Sequence, residues 1–134
     1  MYRKIIVPMA LDHGVGSRAM DIARSLRAEG GEIIAIHALE PIPRAVRQYI
    51  TDSQVQDAEN HVKSILAERV ADTENARYVV IPGRAGWAIT DFAHHEGADC
   101  IVIASHKPGL QHFLLGSTAA RVVRHATCSV HVLR

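Results

Sequence analysis

The stretch Ile101-Val102-Ile103-Ala104-Ser105-His106-Lys107-Pro108-Gly109, followed by Gly116-Ser117-Thr118-Ala119-Ala120-Arg121-Val122-Val123-Arg124-His125-Ala126 and then Val130-His131-Val132-Leu133, decides the fold. Its first part is a short, unbroken β-branched run, which is how a strand buried on both faces of a parallel sheet reads. Its middle carries Ala119, Val122, Val123 and Ala126 at helical spacing, a one-sided apolar stripe. Its end is another apolar run. Strand, loop, helix and strand in that order make one β-α-β unit.

Outward from this unit the pattern repeats. Ile5-Ile6-Val7, Ile33-Ile34-Ala35-Ile36 and Val79-Val80-Ile81 are three more short apolar runs. Between them lie stripes at Ala19, Ile22, Ala23 and Leu26, at Val55, Ala58, Val62, Ile65 and Leu66, and at Ile89, Phe92 and Ala93. The pair Gly30-Gly31 is expected to end the first helix, and Gly97 closes the third stripe. The order β-α-β-α-β-α-β-α-β implies an α/β fold with a parallel sheet, right-handed crossovers and helices on both faces. Residues 40–52, with Pro41, Pro43, Arg44, Arg47 and Tyr49, are longer than a plain connection needs. They read either as a flap or as an ordinary surface loop.

The chain has 134 residues, one domain's worth, and this length buries a core without disulfides or metals. Its net charge of +1 and aromatic content of 4% argue against a nucleic-acid binder, which needs clustered positive charge and stacking platforms. The segment Met1-Tyr2-Arg3-Lys4 runs straight into a strand, without the apolar stretch of a signal peptide. No segment is long enough to span a membrane. A cytoplasmic location is expected. Cys100 and Cys128 lie in or beside apolar runs and read as buried structural thiols. The adjacent His94-His95 point apart on a helix, and the nine histidines carry no familiar metal-ligand spacing, so no metal site is expected. There is no nucleophile elbow and no Walker lysine motif. Trp87 is expected to pack at the start of the third helix, and Arg84 either to touch a ligand's phosphate or to be solvated.

Ligands of open α/β sheets bind beyond the carboxyl ends of the strands, where strand order reverses. The first strand ends at Pro8-Met9-Ala10 and the fourth at Ala104-Ser105-His106-Lys107. The tripeptide Gly116-Ser117-Thr118 opens the last helix, where free N–H groups and the helix dipole favour an anion. Gly116 allows close approach, and the hydroxyls add donors. The same tripeptide also serves as a plain N-cap. Lys107 is positioned to reach a phosphate or to be solvated.

These residues resemble a known family. Ile103-Ala104-Ser105-His106-Lys107-Pro108-Gly109 with Leu114-Leu115-Gly116-Ser117-Thr118-Ala119-Ala120-Arg121-Val122-Val123-Arg124-His125-Ala126 is similar to the signature of the universal stress protein (UspA) family. Lys4-Ile5-Ile6-Val7-Pro8, Ile36-His37-Ala38-Leu39-Glu40-Pro41, Gly97-Ala98-Asp99 and Cys128-Ser129-Val130-His131-Val132-Leu133-Arg134 extend the likeness over the whole chain. The Ser-His-Lys-Pro loop has the form found in the UspF/UspG subgroup.

The resemblance implies one doubly wound domain over residues 1–134, with strand order 3-2-1-4-5. It implies an adenine nucleotide, ATP or a relative, with Mg²⁺ accompanying ATP. The nucleotide site would comprise Pro8, Met9, Ala10, Ala38, Ile103, Ala104, His106, Lys107, Gly116, Ser117, Thr118 and Ala119. Ala38 and Ile103 would flank the base. The chain departs from the family's glycine signature: Ala104 and Lys107 replace two glycines, the spacer to Gly116 is one residue short, and Ala10 stands where the family carries an Asp. Asp12 is out of register.

Three functions follow from this reading. The first is a nucleotide-binding stress or signalling module without a group placed to activate water. The second is a non-nucleotide-binding dimeric interaction protein. The third is an enzyme that hydrolyses ATP or phosphorylates Ser117 or Thr118. A homodimer is expected through the last strand, residues 129–134, which would lie at a sheet edge.

Overall fold

Ile5, Ile6 and Val7 have no exposed surface at all. They belong to β1 (Tyr2–Pro8), which has a strand on each side and a helical layer on each face. The computed structural model describes residues 1–11, 15–105 and 115–134. In these, β1 is followed by α1 (Val15–Leu26), β2 (Arg27–Leu39), α2 (Arg44–Arg47), α3 (Asp52–Val70), β3 (Ala76–Pro82), α4 (Ala85–Glu96), β4 (Cys100–Ala104), α5 (Ser117–His125) and β5 (Ser129–Leu133). The sheet is parallel throughout, in the order β3-β2-β1-β4-β5. This is the architecture expected from the sequence.

The two faces divide the core. Ile5, Val7, Ile33, Ala35 and Val102 point to one side and pack with Ala19, Met20 and Ala23 of α1 and Val62, Leu66 and Val70 of α3. Ile6, Ile34, Ile36, Ile101 and Ile103 point to the other and pack with Ile89 and Ala93 of α4 and Ala119 and Val122 of α5. Successive residues of a strand face opposite ways. A strand covered on both faces is therefore apolar at every covered position, which explains the unbroken runs of β1, β2 and β4. The edge strands β3 and β5 are covered less than expected, with Val79, Val80, Val130 and Val132 half-buried and His131 exposed.

Helical stripes are buried less uniformly than their spacing suggests. In α3 the stripe deepens towards the C-terminus, with Val62, Leu66 and Val70 buried, while Val55 is half-buried and Ala58 is exposed. In α5, Val122 is buried but Val123 is exposed.

Gly30 and Gly31 do not end the first helix. That helix stops at Leu26, and both glycines lie within β2. The β1–β2 register runs from Tyr2 opposite Arg27 to Lys4 opposite Glu32, so extra β2 residues are looped out. Gly30 takes a φ of 76°, and a Cβ on Gly31 would lie 3.0 Å from the Tyr2 carbonyl oxygen. The Asn75 amide donates to the carbonyls of Gly30 and Gly31. A bulge that crowded explains the glycine pair.

Residues 40–52 contain α2, which buries nothing, and end in a capping box. Thr51 accepts from the Gln54 backbone N–H, and the Gln54 side chain accepts from the Thr51 N–H. That box fixes the start of α3. At the amino edge of the sheet, both oxygens of Asp99 accept backbone N–H groups, from Arg3 at 2.8 Å and Lys4 at 2.9 Å. The Asp99 N–H donates to the Lys4 carbonyl at 3.1 Å, tying the approach to β4 onto β1. Lys4, Glu96, Arg77 and Glu32 continue as an ion-pair chain across β1, α4, β3 and β2.

Both cysteines are free, Cys100 buried and Cys128 half-buried. Burial, with Cys128 and Asp99 nearby, pushes the Cys100 thiol from an ordinary 9.0 up to about 11. Burial and Asp99 push Cys128 up as well. A thiol whose folded-state pKa is raised keeps its proton when the unfolded chain loses it. Its contribution is complete below pH 9.0 and is lost as pH climbs towards about 11. Urea unfolding is therefore expected to show stability falling across that window, with a shallower fall in Cys100→Ala. Identical slopes in the two proteins would refute the assignment.

Candidate functional site at the carboxyl edge

Every strand of a parallel sheet ends on the same side, and the helices that return from it begin there. The carboxyl ends of β1, β2 and β4 and the starts of α4 and α5 therefore share one edge. Strand order reverses between β1 and β4, which carry chain in opposite lateral directions to β2 and β5.

The end of β1 is pinned. The Met9 N–H donates to the Ile36 carbonyl at 2.8 Å, and the Met9 carbonyl lies 2.8 Å from Nδ1 of His37. A carbonyl only accepts, so His37 carries its proton on Nδ1 in this contact. Pro8 is half-buried and Ala10 is exposed. The Met9 side chain is buried among the residues facing α1 and α3. Ala38, near the end of β2, is half-buried and packs on the side of α4 and α5. Ile103 is buried on that same side, and Ala104 is half-buried at the last position of β4.

Ser105 joins the strand end to the helix start. It is buried, its N–H donates to the Leu133 carbonyl at 2.8 Å, and its carbonyl accepts from the Gly116 N–H at 2.7 Å. Gly116 is the N-cap residue of α5, with φ −61° and ψ 158°. Any residue adopts that conformation, so the backbone there does not demand glycine. What glycine provides is the lack of a side chain at the cap. The Gly116 carbonyl accepts the first helical bond, from Ala120 at 2.9 Å. Ser117 is exposed, Thr118 half-buried and Ala119 buried. His106 and Lys107 lie outside the described residues.

The sequence-derived set is thus gathered at one edge wherever it is described. Reading the sequence missed three contributors: Ser105 as the tie between β4 and α5, His37 as the clamp on Met9, and a cluster of Trp87, Arg121 and His125. Trp87 sits in the first turn of α4 and is 54% exposed, with the Arg121 guanidinium over its ring. No spacing within α4 or α5 signals that cluster. Arg84, at the N-cap of α4, is exposed.

Another charged cluster lies away from this edge, partly paired within itself. A cleft between α1 and α3 is lined by Ser17, Asp21, Arg24, Glu68, Arg69 and Asp72. There Arg24 pairs with Asp21 and donates to Thr73, and Arg69 donates to Ser17. Among the described residues no group of three His, Cys, Asp or Glu side chains is placed to hold a metal ion. No helix of the described residues is long and apolar enough to cross a membrane.

An open parallel sheet whose order reverses at β1 and β4, with a helix starting from the end of β4, defines the doubly wound α/β class that takes ligands at its carboxyl edge. The chain belongs to the universal stress protein family, whose model matches residues 1–134. It is 28% identical to Universal stress protein G of Shigella flexneri over the full length of both chains. Among solved structures it is similar to the universal stress protein UspA from Lactobacillus plantarum, at 22% identity and a TM-score of 0.73, covering 99% of this chain and 98% of that one. It is similar also to a universal stress protein in complex with cAMP, at 20% identity and a TM-score of 0.74, covering 99% and 97%. A universal stress protein from Archaeoglobus fulgidus in complex with dAMP is 19% identical, with a TM-score of 0.71, covering 99% and 98%.

Proposed function

We propose that this chain is an adenine-nucleotide-binding stress-response module, with the nucleotide between the ends of β1 and β4 and its phosphates at the start of α5. The observation that carries the reading is the uncapped opening of α5, tied to the end of β4 through Gly116 and Ser105. An anion there meets unpaired backbone N–H groups and the positive end of the helix. Ser117 and Thr118 add hydroxyl donors, while Ala38 and Ile103 offer apolar surface to the base. Two structural relatives hold adenine nucleotides, cAMP and dAMP, which supports the ligand class. In this reading ATP, with Mg²⁺, acts as a conformational ligand.

Calorimetry with ATP is expected to show binding, and millimolar ATP is expected to raise the melting temperature. Gly116→Val should fold, since φ is −61° there, yet lose ATP binding because a branched side chain enters the phosphate space. No heat and no stabilisation in the unmodified protein would sink the proposal.

We propose further that the chain forms a homodimer through β5. This strand is at the sheet edge, paired only with β4 among the described residues. The Leu133 carbonyl points to β4, where it accepts from Ser105. Backbone groups alternate sides along a strand, so those of Val130 and Val132 face outward. An exposed row of this kind is satisfied by antiparallel pairing with a second copy across a two-fold axis. Light scattering at micromolar concentration should give twice the monomer mass. Val130→Pro deletes an outward donor and should yield monomers with the helical signal intact; a monomeric mass for the unmodified protein would exclude the dimer.

A further inference from the structure

The first turn of α4 and the second turn of α5 meet in a layered contact that packing alone does not explain. Cζ of Arg121 lies 2.9 Å from the centre of the Trp87 ring. The rings of Trp87 and His125 are nearly parallel, at 16°, with centroids 6.4 Å apart. Arg121 and His125 are one turn apart on α5 and approach the indole together. Gly86 makes the crossing: a Cβ there would lie 2.8 Å from Cδ of Arg121 and 3.1 Å from its Cβ. The arginine stem therefore occupies the space a side chain at residue 86 would need.

Two facts about the Arg121 head group remain. Its Nε is buried and has no hydrogen-bond partner among the described residues. Its charge is also unpaired there, since the ion pairs among the described residues use Lys4, Arg24, Arg47 and Arg77. Outside the described residues, 106–114 contain no Asp or Glu, and 12–14 contain one, Asp12. Leaving a buried guanidinium donor unpaired is costly. Stacking on an indole engages the face of the guanidinium and leaves its in-plane N–H fork free. Helical side chains lean towards the N-terminus, which for Arg121 is the turn that begins at Ser117.

The geometry points to Arg121 as a phosphate-reading residue, held ready by Trp87, that selects nucleotides carrying a polyphosphate over the nucleoside. This inference rests on the nucleotide reading above. In it, the two terminal nitrogens, which unlike Nε are not buried, donate side by side to oxygens of a phosphate beyond the one at the helix start. Gly86 and Trp87 fix the guanidinium before the ligand arrives, which limits the ordering cost of binding.

The test is calorimetry with ATP, AMP and adenosine on the unmodified protein, Arg121→Met and Arg121→Lys. Methionine keeps an unbranched stem across Gly86 and removes the charge. It should weaken ATP by about tenfold or more, AMP less, and adenosine not at all. Lysine restores charge without the fork and should recover only part of the loss. Trp87 is the only tryptophan, so its emission gives a second readout. ATP should change it, adenosine should not, and Arg121→Met should abolish the response. Equal ATP affinity in the unmodified protein and Arg121→Met would overturn the inference and leave the nucleotide reading standing. Equal loss of ATP and adenosine would mark Arg121 as structural and also overturn it. Failure of every adenine compound to bind the unmodified protein would remove both.

Discussion

The structure depends on β1 having no face open to solvent. Ile5 and Val7 are committed to one layer and Ile6 to the other, and all three are completely buried. Burying such side chains contributes on the order of 1.5–3 kcal/mol each. A one-residue slip of β1 would exchange the two sets of side chains between layers of different shape. Asp99 opposes that slip at the amino edge, where both carboxylate oxygens hold the backbone of Arg3 and Lys4. At the other end the Met9 backbone is held by Ile36 and His37. The strand is therefore fixed along its axis at both ends.

The candidate site inherits that fixity. Among the described residues its parts are strand ends and helix starts, elements whose positions the two cores set. Ser105 passes the constraint from β4 and β5 to the cap of α5 through two backbone hydrogen bonds. In the proposed reading phosphate binding needs donors that do not move when the anion arrives, and a helix anchored at its N-cap would supply them. Trp87 and Gly86 do for the Arg121 side chain what Ser105 does for the backbone.

Much of this was legible in the residues, for a physical reason. Strands buried on both faces lose the alternation that marks half-buried ones, and the runs of β1, β2 and β4 announced a parallel sheet for that reason. β3 and β5 read as equally apolar although they are only partly covered. Strand order came instead from the family resemblance, because apolarity says that a strand is covered and not by which neighbour. The Gly30-Gly31 pair was misread because a glycine pair after a helical stripe signals a helix end as well as it signals a bulge. Only the nearness of the Tyr2 carbonyl and Asn75 decides between them, and both are distant in sequence. The Thr51–Gln54 box straddles the boundary between the stretch read as irregular, 40–52, and the helical stripe that begins at Val55, so its two halves were read apart. Trp87 and Arg121 share no local pattern. Their meeting is a product of two helices crossing at Gly86, and sequence spacing within either helix carries no trace of it.

The β1–β4 contact also has a consequence for how the chain is made. Arg3 and Asp99 are 96 residues apart, yet they bond directly at the amino edge between the adjacent strands β1 and β4. A ribosome releases the chain from its amino end. β1, β2 and β3 emerge early and can pair, but β1 must wait for its second neighbour until β4 has left the exit tunnel. Through that interval one edge of a strand with a fully buried Ile5-Ile6-Val7 run stands open, which is the kind of surface that chaperones recognise and that nascent chains use to aggregate. The closing of that edge by β4, under the bonds of Asp99, is the step that converts a vulnerable nascent half-sheet into a finished domain.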